Sequence, residues 1–217
     1  MTEFELERKK LVMHLTDTRA IKTKNLEQAF LEVKREDFFE ESMKSNAYSD
    51  NAFSIGFGQT ISQPYTIAVM LEMLKAEKGM TVLDVGSGSG YTSCLLSELL
   101  GKKGKVTAVE LVKELFEKAK ENPEIKKRKN IELIQADAVK NDFGKEKFDR
   151  ILVSAACPFL PKHLFDSLKE KGIAVAPVGD NFSQRIQSIT KIQEKSFKKD
   201  FLEGFFVFVP LRGSFQQ

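Results

Sequence analysis

Residues 80–91, MTVLDVGSGSGY, constrain the fold of this chain more than any other segment. Residues 81–85 are mostly apolar and β-branched, which predicts a short buried strand. Three glycines follow at Gly86, Gly88 and Gly90, alternating with serines. The small and apolar residues after them favour a helix. A strand, a glycine turn and a helix open a βαβ unit, in which the turn lets a ligand approach the main chain closely.

An aspartate two positions before the first glycine distinguishes between the ligands that such a turn binds. The pyrophosphate of a dinucleotide is anionic and lies at the helix N-terminus, where the carboxylate of Asp84 would repel it. S-adenosylmethionine carries a sulfonium and an ammonium group, and Asp84 attracts both cations. The order D-x-G-x-G-x-G therefore favours S-adenosylmethionine over NAD. Glycine spacing alone is a weak signal, so a purely structural turn in another α/β protein stays open as an alternative.

A glutamate at the end of the next predicted strand strengthens this interpretation. Residues 105–110, KVTAVE, form that strand, and Glu110 lies 20 positions after Gly90. In this kind of fold an acidic residue at such a place accepts hydrogen bonds from the ribose hydroxyls of the ligand. A glutamate at a strand end is commonly just solvated, but its spacing from the glycine turn favours the ribose role.

Strands and helices alternate after the glycine turn, which is typical of a parallel, doubly wound sheet. The sequence predicts further strands at residues 131–136, 148–154 and 173–178, with helices at residues 113–120 and 161–168. No helix separates the last two strand-like runs, so we expect residues 185–193 and 205–211 to pair antiparallel at the sheet edge. The predicted fold class is α/β: a Rossmann-like, doubly wound, mostly parallel sheet with an antiparallel C-terminal edge and N-terminal helices.

The N-terminal third of the chain is predicted to contain helices and a long ordered loop. Amphipathic helices are expected over residues 3–15 and from about Asn25, which we interpret as the helix cap. Residues 51–64 contain glycines and hydroxyl side chains among aromatic and β-branched ones, and we expect an ordered loop over the glycine turn. Pro64 then begins a helix as a first-turn residue.

Composition and charge limit the classes of protein to which the chain can belong. A chain of 217 residues fits one domain with a substantial core, so residues 1–217 are expected to form a single domain that binds S-adenosylmethionine. Within it, residues 1–79 supply helices and an active-site loop, and residues 80–217 form the Rossmann-like core. The net charge is only +3, from 34 basic and 31 acidic residues, so we expect no nucleic-acid partner. The basic run KKRK at residues 126–129 is interpreted as a solvated loop.

The sequence also indicates where the chain acts. No apolar run approaches the ~18 residues of a membrane span, and the N-terminus MTEFELERKK is too charged for a signal peptide. Cys94 and Cys157 have no metal-type spacing and are typical of a reducing compartment. We therefore expect a cytoplasmic protein that needs no metal and no membrane, and that functions as a monomer.

These segments together resemble the protein-L-isoaspartate O-methyltransferases, a family of S-adenosylmethionine-dependent enzymes, along nearly the whole chain. The glycine motif VLDVGSGSGY occurs in many methyltransferases. GQTISQP within residues 47–74, and FVPL within residues 206–213, are much more particular to this family. The likeness continues in VKREDFF, FDRILVSAACPFLP, LKEKGIAVAPVG and QRIQSITK, at residues 33–39, 148–161, 168–179 and 184–191.

The resemblance implies a repair reaction. The family methylates the abnormal α-carboxylate of an L-isoaspartyl residue, which arises when asparagine deamidates or aspartate isomerises. The methyl ester then closes spontaneously to a succinimide, which can reopen to normal aspartate. The implied cofactor is S-adenosyl-L-methionine, and the implied partners are isoaspartyl-containing peptides and proteins.

The resemblance also implies the site residues. Thr60 and Ser62 of GQTIS match the active-site loop of the family, and Ser62 matches its active-site serine. The implied cofactor contacts are Asp84, Gly86, Ser87, Gly88, Ser89, Gly90, Glu110, Leu111, Asp137 and Ala138. At the end of the third predicted strand, the family usually has Gly-Asp-Gly, whereas this chain has Ala-Asp-Ala at residues 136–138. The two alanines add methyl groups near the expected adenine.

The acceptor side of the site is less specified by sequence. We expect its walls to come from residues 155–159 and from Arg212 and Gly213, with residues 207–211 forming a core strand instead.

Three other functions stay open at this point. A related methyltransferase could act on another carboxylate, a small molecule or RNA. RNA methylases that target amino groups often carry Asn/Asp-Pro-Pro-aromatic, however, where this chain has SAACPF. A second alternative is a non-catalytic cofactor-binding module. A third is an NAD(P) oxidoreductase, which Asp84 disfavours.

Overall fold

The computed structural model describes residues 2–180, 182–193 and 196–213. Its strands are β1 (Phe53–Gly56), β2 (Gln59–Ile61), β3 (Thr81–Val85), β4 (Lys105–Glu110), β5 (Ile131–Gln135), β6 (Phe148–Val153), β7 (Leu168–Gly179), β8 (Gln184–Gln193) and β9 (Ser196–Phe201). Its α-helices are α1 (Glu3–Asp17), α2 (Lys24–Glu32), α3 (Pro64–Leu74), α4 (Tyr91–Leu100), α5 (Lys113–Glu121), α6 (Pro123–Lys126) and α7 (Lys162–Ser167). Two 3₁₀ helices, Arg35–Phe38 and Glu41–Asn46, lie between α2 and β1.

The main sheet has the strand order β5-β4-β3-β6-β7-β8-β9. The strands from β5 to β7 in this order pair in parallel, and β8 and β9 add an antiparallel edge. This arrangement confirms the predicted fold class. The chain builds outward from β3 to β5 and then returns to place β6 on the other side of β3. Loops that leave β3 and β6 therefore diverge, and a crevice opens at the carboxyl ends of these strands.

The central strand, turn and helix have the predicted bounds. Leu83 and Val85 of β3 are fully buried, and α4 begins directly after Gly90. Gly90 has a φ of +84°, in the left-handed region. A Cβ at this position would lie 2.2 Å from Cδ1 of Ile125. The turn therefore requires glycine here both for its conformation and for space.

The N-terminal helices begin at caps that only partly follow the prediction. Thr2 and Glu5 form a reciprocal capping box at the start of α1. Asn25 lies inside α2, and Thr23 is the N-cap instead, so the predicted cap is wrong. The carboxylate of Glu72 on α3 accepts hydrogen bonds from the main-chain nitrogen and the hydroxyl of Thr23, at 2.8 and 3.0 Å. A contact between helices thus replaces the local cap that the sequence suggested.

Residues 51–64, predicted as an ordered loop, contain the hairpin of β1 and β2. The hairpin lies over the glycine turn as expected: Cδ1 of Ile55 would be 3.3 Å from a Cβ on Gly88. Phe57 at its tip has a φ of +56°, which is uncommon for an aromatic residue. The turn does not contain the Asn-Gly pair by which such hairpins are recognised in sequences.

The prediction for the C-terminal tail was wrong in one respect. β8 lies at an antiparallel edge as expected, but its partners are β7 and β9 and not residues 205–211. These residues make only isolated bridges, to Gln184 and Ala156. Val207 is 82% exposed, so it is not part of a core strand.

The basic run at residues 126–129 is more ordered than a solvated loop. Arg128 is buried and forms ion pairs with Glu124 and Glu98, both at 2.7 Å. The run therefore includes a side chain that ties α6 to α4, and the interpretation as a loop in solvent was wrong for Arg128.

Replacing Gly90 by alanine should destabilise the fold more than replacing Gly79. Both glycines have a φ of +84°, but a Cβ at Gly79 would meet nothing within 4 Å. Gly79→Ala should cost about 1 kcal/mol of unfolding free energy, from backbone strain alone. Gly90→Ala should cost about 1–3 kcal/mol more, because Ile125 must move to make room. Calorimetry should show a melting temperature lower by about 2–4 °C for each kcal/mol, and equal shifts for the two variants would contradict this prediction.

Candidate active site

A cleft lies at the carboxyl ends of β3, β4 and β6. Among the residues predicted to contact a cofactor, those that line the cleft are Gly86, Gly88, Glu110, Leu111 and Ala138. The hairpin adds Gln59 and Thr60 on one side, and the C-terminal tail adds residues 209–212 on the other. The cleft is thus enclosed by segments from both ends of the chain.

Glu110 is held rigidly at the end of β4. It is buried, and its Oε2 accepts a hydrogen bond from the main-chain nitrogen of Gly88 at 2.8 Å. Its Oε1 accepts another from the main-chain nitrogen of Val112, also at 2.8 Å. The carboxylate therefore joins the glycine turn to the loop after β4. Each oxygen keeps a second lone pair with which Glu110 can accept the hydroxyl groups of a ribose.

The glycine turn presents groups that suit a polar ligand. The main-chain nitrogens of Gly86 and Ser87 both donate to the carbonyl of Val109, at 2.9 and 3.1 Å, which fixes the turn against β4. The hydroxyl of Ser87 is buried and has no hydrogen-bond partner within the described ranges. A buried polar group without a partner is costly, and a polar atom of a bound cofactor would satisfy it. These residues therefore fit a cofactor such as S-adenosylmethionine.

Asp84 lies behind the glycine turn and does not line the cleft. Its side chain is fully buried. Its Oδ2 accepts a hydrogen bond from the hydroxyl of Ser93 at 2.6 Å, and its Oδ1 accepts one from Ser154 at 3.4 Å. Burial raises the pKa of Asp84 to about 6, although the two serine hydroxyls act in the opposite direction. The carboxylate of Asp84 therefore does not reach the cleft, and any effect on a ligand there would come from its charge and not from contact.

Two neighbouring residues after β5 point in different directions. Ala138 is buried and lines the cleft. The Oδ1 of Asp137 accepts a hydrogen bond from the main-chain nitrogen of Val139 at 2.9 Å. A Cβ on Gly213 would lie 2.4 Å from the same oxygen, so the C-terminal tail packs directly on this carboxylate. Asp137 therefore lies against the tail and does not line the cleft itself.

A second cavity, a groove of about 450 Å³, adjoins the cleft. Thr60 lines both cavities, and Ser62 lines the groove. No hydrogen bond of the Thr60 or Ser62 hydroxyl occurs in the part of the chain that the structure describes. Turn capping, the alternative role for such residues, is performed by Asp50, whose Oδ1 accepts from the main-chain nitrogen of Tyr65 at 2.8 Å. Both hydroxyls are therefore free to donate to a substrate.

The C-terminal tail forms one wall of this groove as an extended segment. The main-chain nitrogen and carbonyl of Phe206 both pair with the main chain of Gln184, at 2.9 Å each. The main-chain nitrogen of Phe208 donates to the side chain of Gln184 at 2.8 Å. In an extended segment, the main-chain N–H and C=O groups of successive residues point to opposite sides. Since those of Phe206 point towards Gln184, those of Val207 point away from it. The side chains of Phe205 and Val207 are 78% and 82% exposed. An edge of this kind can pair with an extended peptide.

The structure therefore separates the predicted site residues into those that line the cleft, named above, those at the groove, and those that do not line the cleft. Thr60 and Ser62 lie at the groove, with Thr60 at its junction with the cleft. The residues that surround the cleft without lining it are Asp84, Ser87, Ser89, Gly90 and Asp137. The expected groove walls were wrong, because Ala155 and Arg212 border the cleft instead. The groove wall at residues 205–209 was missed, since an apolar run reads as a strand of the core.

The fold and the cleft define a class of protein. A mostly parallel sheet, a glycine-rich turn after β3 and a buried carboxylate after β4 are those of a Rossmann-like S-adenosylmethionine-dependent methyltransferase. A crystal structure of a Plasmodium falciparum β-aspartate methyltransferase superimposes with a TM-score of 0.83 and 30% sequence identity, covering 94% of this chain and 98% of that one. That protein was solved in complex with S-adenosyl-L-homocysteine.

Sequence comparison places the chain more narrowly. The family model for protein-L-isoaspartate(D-aspartate) O-methyltransferase matches residues 6–216. The chain therefore belongs to the protein-L-isoaspartate O-methyltransferase family. Relatives of that name from Methanococcus maripaludis and Petrotoga mobilis are each 38% identical. The match to the Methanococcus maripaludis protein covers 94% of both chains. The match to the Petrotoga mobilis protein covers 98% of this chain and 99% of that protein. These findings confirm the predicted family, enzyme class and cofactor.

Asp84→Asn should stabilise the protein at neutral pH. Folding raises the pKa of Asp84 from 3.8 to about 6, so the folded state binds more protons than the unfolded state between these values. The wild-type protein therefore loses stability as the pH rises through this window, and the neutral amide avoids the loss. The difference between the two pKa values corresponds to about 3 kcal/mol. Urea unfolding at about pH 4 and pH 7 should show the advantage of the variant growing by about that amount.

Asp180→Asn provides a control of opposite sign. Hydrogen bonds from the main chain of Phe182 and Ser183 hold the pKa of exposed Asp180 below its usual value. The stability of this variant relative to wild type should not increase with pH. A constant difference between Asp84→Asn and wild type across the same range would contradict the assignment of a buried, ionised carboxylate.

Proposed function

We propose that this chain transfers a methyl group from S-adenosylmethionine to the α-carboxylate of L-isoaspartyl residues in proteins, and so initiates their repair. The observation that carries the proposal is the meeting of the two cavities at Thr60. One cavity is formed by the cofactor-type elements of the sheet, and the other by GQTIS and the C-terminal tail. Family membership supports the same reaction.

The proposed acceptor needs no general base. A carboxylate has a pKa of about 4 and is ionised at neutral pH. When bound, S-adenosylmethionine supplies a methyl group on a sulfonium, which is already electrophilic. The protein therefore has to orient the carboxylate and exclude water, and orientation can contribute several kcal/mol.

We assign the orienting role to the hydroxyls of Thr60 and Ser62. Both are without hydrogen bonds in the described structure, so they can donate to one oxygen of the acceptor carboxylate. The other oxygen is then left free to attack the methyl carbon. Thr60 lines both cavities and would act where cofactor and acceptor meet, and Ser62 lines the groove and would act within it.

The cofactor side is assigned to the residues that line or frame the cleft. We propose that Glu110 accepts the ribose hydroxyls, and that Gly86 and Gly88 bring the main chain close to the cofactor. The hydroxyl of Ser87, buried without a partner, lies between these two glycines in sequence but does not line the cleft. Leu111 and Ala138 offer apolar surface for the adenine.

The groove suits an extended peptide. Its wall at residues 205–209 exposes unpaired main chain at Val207, to which the substrate backbone can add as a strand. An isoaspartyl residue forms in flexible segments of damaged proteins, and only such a segment can take this extended form. This supports a peptide acceptor over a small free acid.

We further propose that the enzyme acts in the cytoplasm as a monomer, on peptides and not on nucleic acids or membranes. Cys94 and Cys157 are free thiols, as expected in a reducing compartment. The balanced charge of the chain supports a peptide partner over a nucleic acid. Within the described ranges, no helix is long and apolar enough to span a bilayer.

One peptide in isoaspartyl form and in normal aspartyl form tests the proposed function. The wild-type protein should transfer base-labile methyl groups to the isoaspartyl form alone. Ser62→Ala should lower kcat/KM for that peptide by about 10–100-fold, because a donor to the reacting carboxylate is lost. Ser54→Ala, on the same hairpin but outside the groove, should leave kcat/KM unchanged.

Two results would count against this assignment. Methylation of neither peptide, with intact binding of S-adenosylhomocysteine, would indicate another acceptor. Full activity of Ser62→Ala would remove Ser62 from the site.

A further inference from the structure

Arg35 occupies an unusual place between the N-terminal helices and the groove. Its side chain is fully buried. Its Nε donates a hydrogen bond to the carbonyl of Ala47 at 2.8 Å, and its Nη2 donates to the carbonyl of Ser62 at 3.0 Å. The guanidinium stacks on the ring of Tyr91 at 4.8 Å and near that of Phe39 at 5.5 Å. It therefore connects the residue that lines the groove to the first residue of α4.

The charge of Arg35 has no ion-pair partner in the part of the chain that the structure describes. Its Nη1 is buried without a hydrogen bond. Asp50 attracts it only at longer range. The other buried arginines differ, because Arg8 pairs with Glu36 and Arg128 pairs with glutamates on two helices. A buried charge without a counter-ion is costly, and proteins seldom keep one for packing alone.

We propose that Arg35 is a positioning residue for the acceptor carboxylate. It holds the main chain of Ser62, and thereby aims the Ser62 hydroxyl into the groove. Its unpaired positive charge lies behind that residue and favours an anion in front of it. This inference rests on the proposed function, since it takes the groove as the place where a carboxylate binds.

The contact geometry explains why arginine is needed here. The planar guanidinium donates in two directions at once, to Ala47 and to Ser62, while its face lies on Tyr91. A lysine would keep the positive charge but could not make this set of contacts. The low polarity around the buried side chain also lengthens the reach of its charge towards the groove.

Arg35→Lys should lower kcat/KM for the isoaspartyl peptide by about tenfold, equivalent to about 1.4 kcal/mol. Arg35→Gln removes the charge as well and should lower it further. Affinity for S-adenosylhomocysteine should stay within about twofold of wild type in both variants, because the cofactor cleft is not contacted by Arg35. Arg128→Lys is the matched control, a buried arginine far from the groove, and should leave kcat/KM unchanged at a similar melting temperature.

A double-mutant cycle with Ser62→Ala distinguishes positioning from a general loss of structure. If Arg35 acts through Ser62, then Arg35→Lys in the Ser62→Ala background should cost less than about twofold in kcat/KM. The two single effects would multiply if Arg35 were only structural, and that outcome would overturn the inference. An equal loss of cofactor affinity in Arg35→Lys would overturn it as well.

The wild-type assay separates failure of this inference from failure of the proposed function. A wild-type protein that methylates no isoaspartyl peptide refutes the function and the inference together. If wild type is active and Arg35→Lys keeps its kcat/KM, the inference alone is wrong. Should Arg35→Gln fail to fold, Arg35→Lys and the cycle still decide the outcome.

Discussion

The parallel pairing of β3 with both β4 and β6 is the constraint on which the rest of the molecule depends. Because these neighbours are reached in opposite directions along the chain, no connection covers the carboxyl end of β3. Residues that follow these strands closely in sequence then form part of the wall of the crevice. The glycine turn follows β3 and occupies little of the crevice. The carboxylate of Glu110 connects this turn to the end of β4, because it accepts hydrogen bonds from two main-chain nitrogens. The same few residues thus stabilise the ends of these strands and line the cleft.

The two halves of the site differ in how they are built. The cofactor cleft is made mainly of short segments that follow consecutive strands. The groove brings together residues 51–66 and 205–209, which are distant in sequence and meet only through the sheet edge. Gln184 connects them to the core, since its main chain and its side chain both bind the tail. The proposed acceptor site therefore depends on contacts of long sequence separation.

This difference explains what sequence could predict. β3, α4 and β4 were located to the residue because strong local signals, a β-branched run and a glycine turn, coincide there. The hairpin was missed because Phe57 adopts a left-handed conformation that its residue type does not announce. The cap of α2 was misplaced because Glu72 of another helix performs it. Residues 205–211 were predicted to be a strand of the sheet because their residue pattern is that of an extended segment. The pattern does not tell whether the outer edge of that segment pairs with another strand or borders a groove.

The residues of the candidate site follow the same rule. The resemblance identified Thr60 and Ser62, and both lie on the groove. Asp84 was expected to contact the cofactor, but burial and two serine hydroxyls keep its side chain off the cleft wall. Arg35 lies in VKREDFF, one of the segments of the resemblance, but it was not predicted as a site residue because a single arginine is usually solvated. Only the tertiary structure reveals that it is buried without a counter-ion.

The position of the groove wall near the end of the chain has a consequence for synthesis. Proteins fold in part while the ribosome is still extending them, and amino-terminal segments come first. The glycine turn and the strands around it emerge well before residues 205–209, which complete the groove. In the order of synthesis, the elements of the proposed cofactor cleft therefore come before those of the proposed peptide groove.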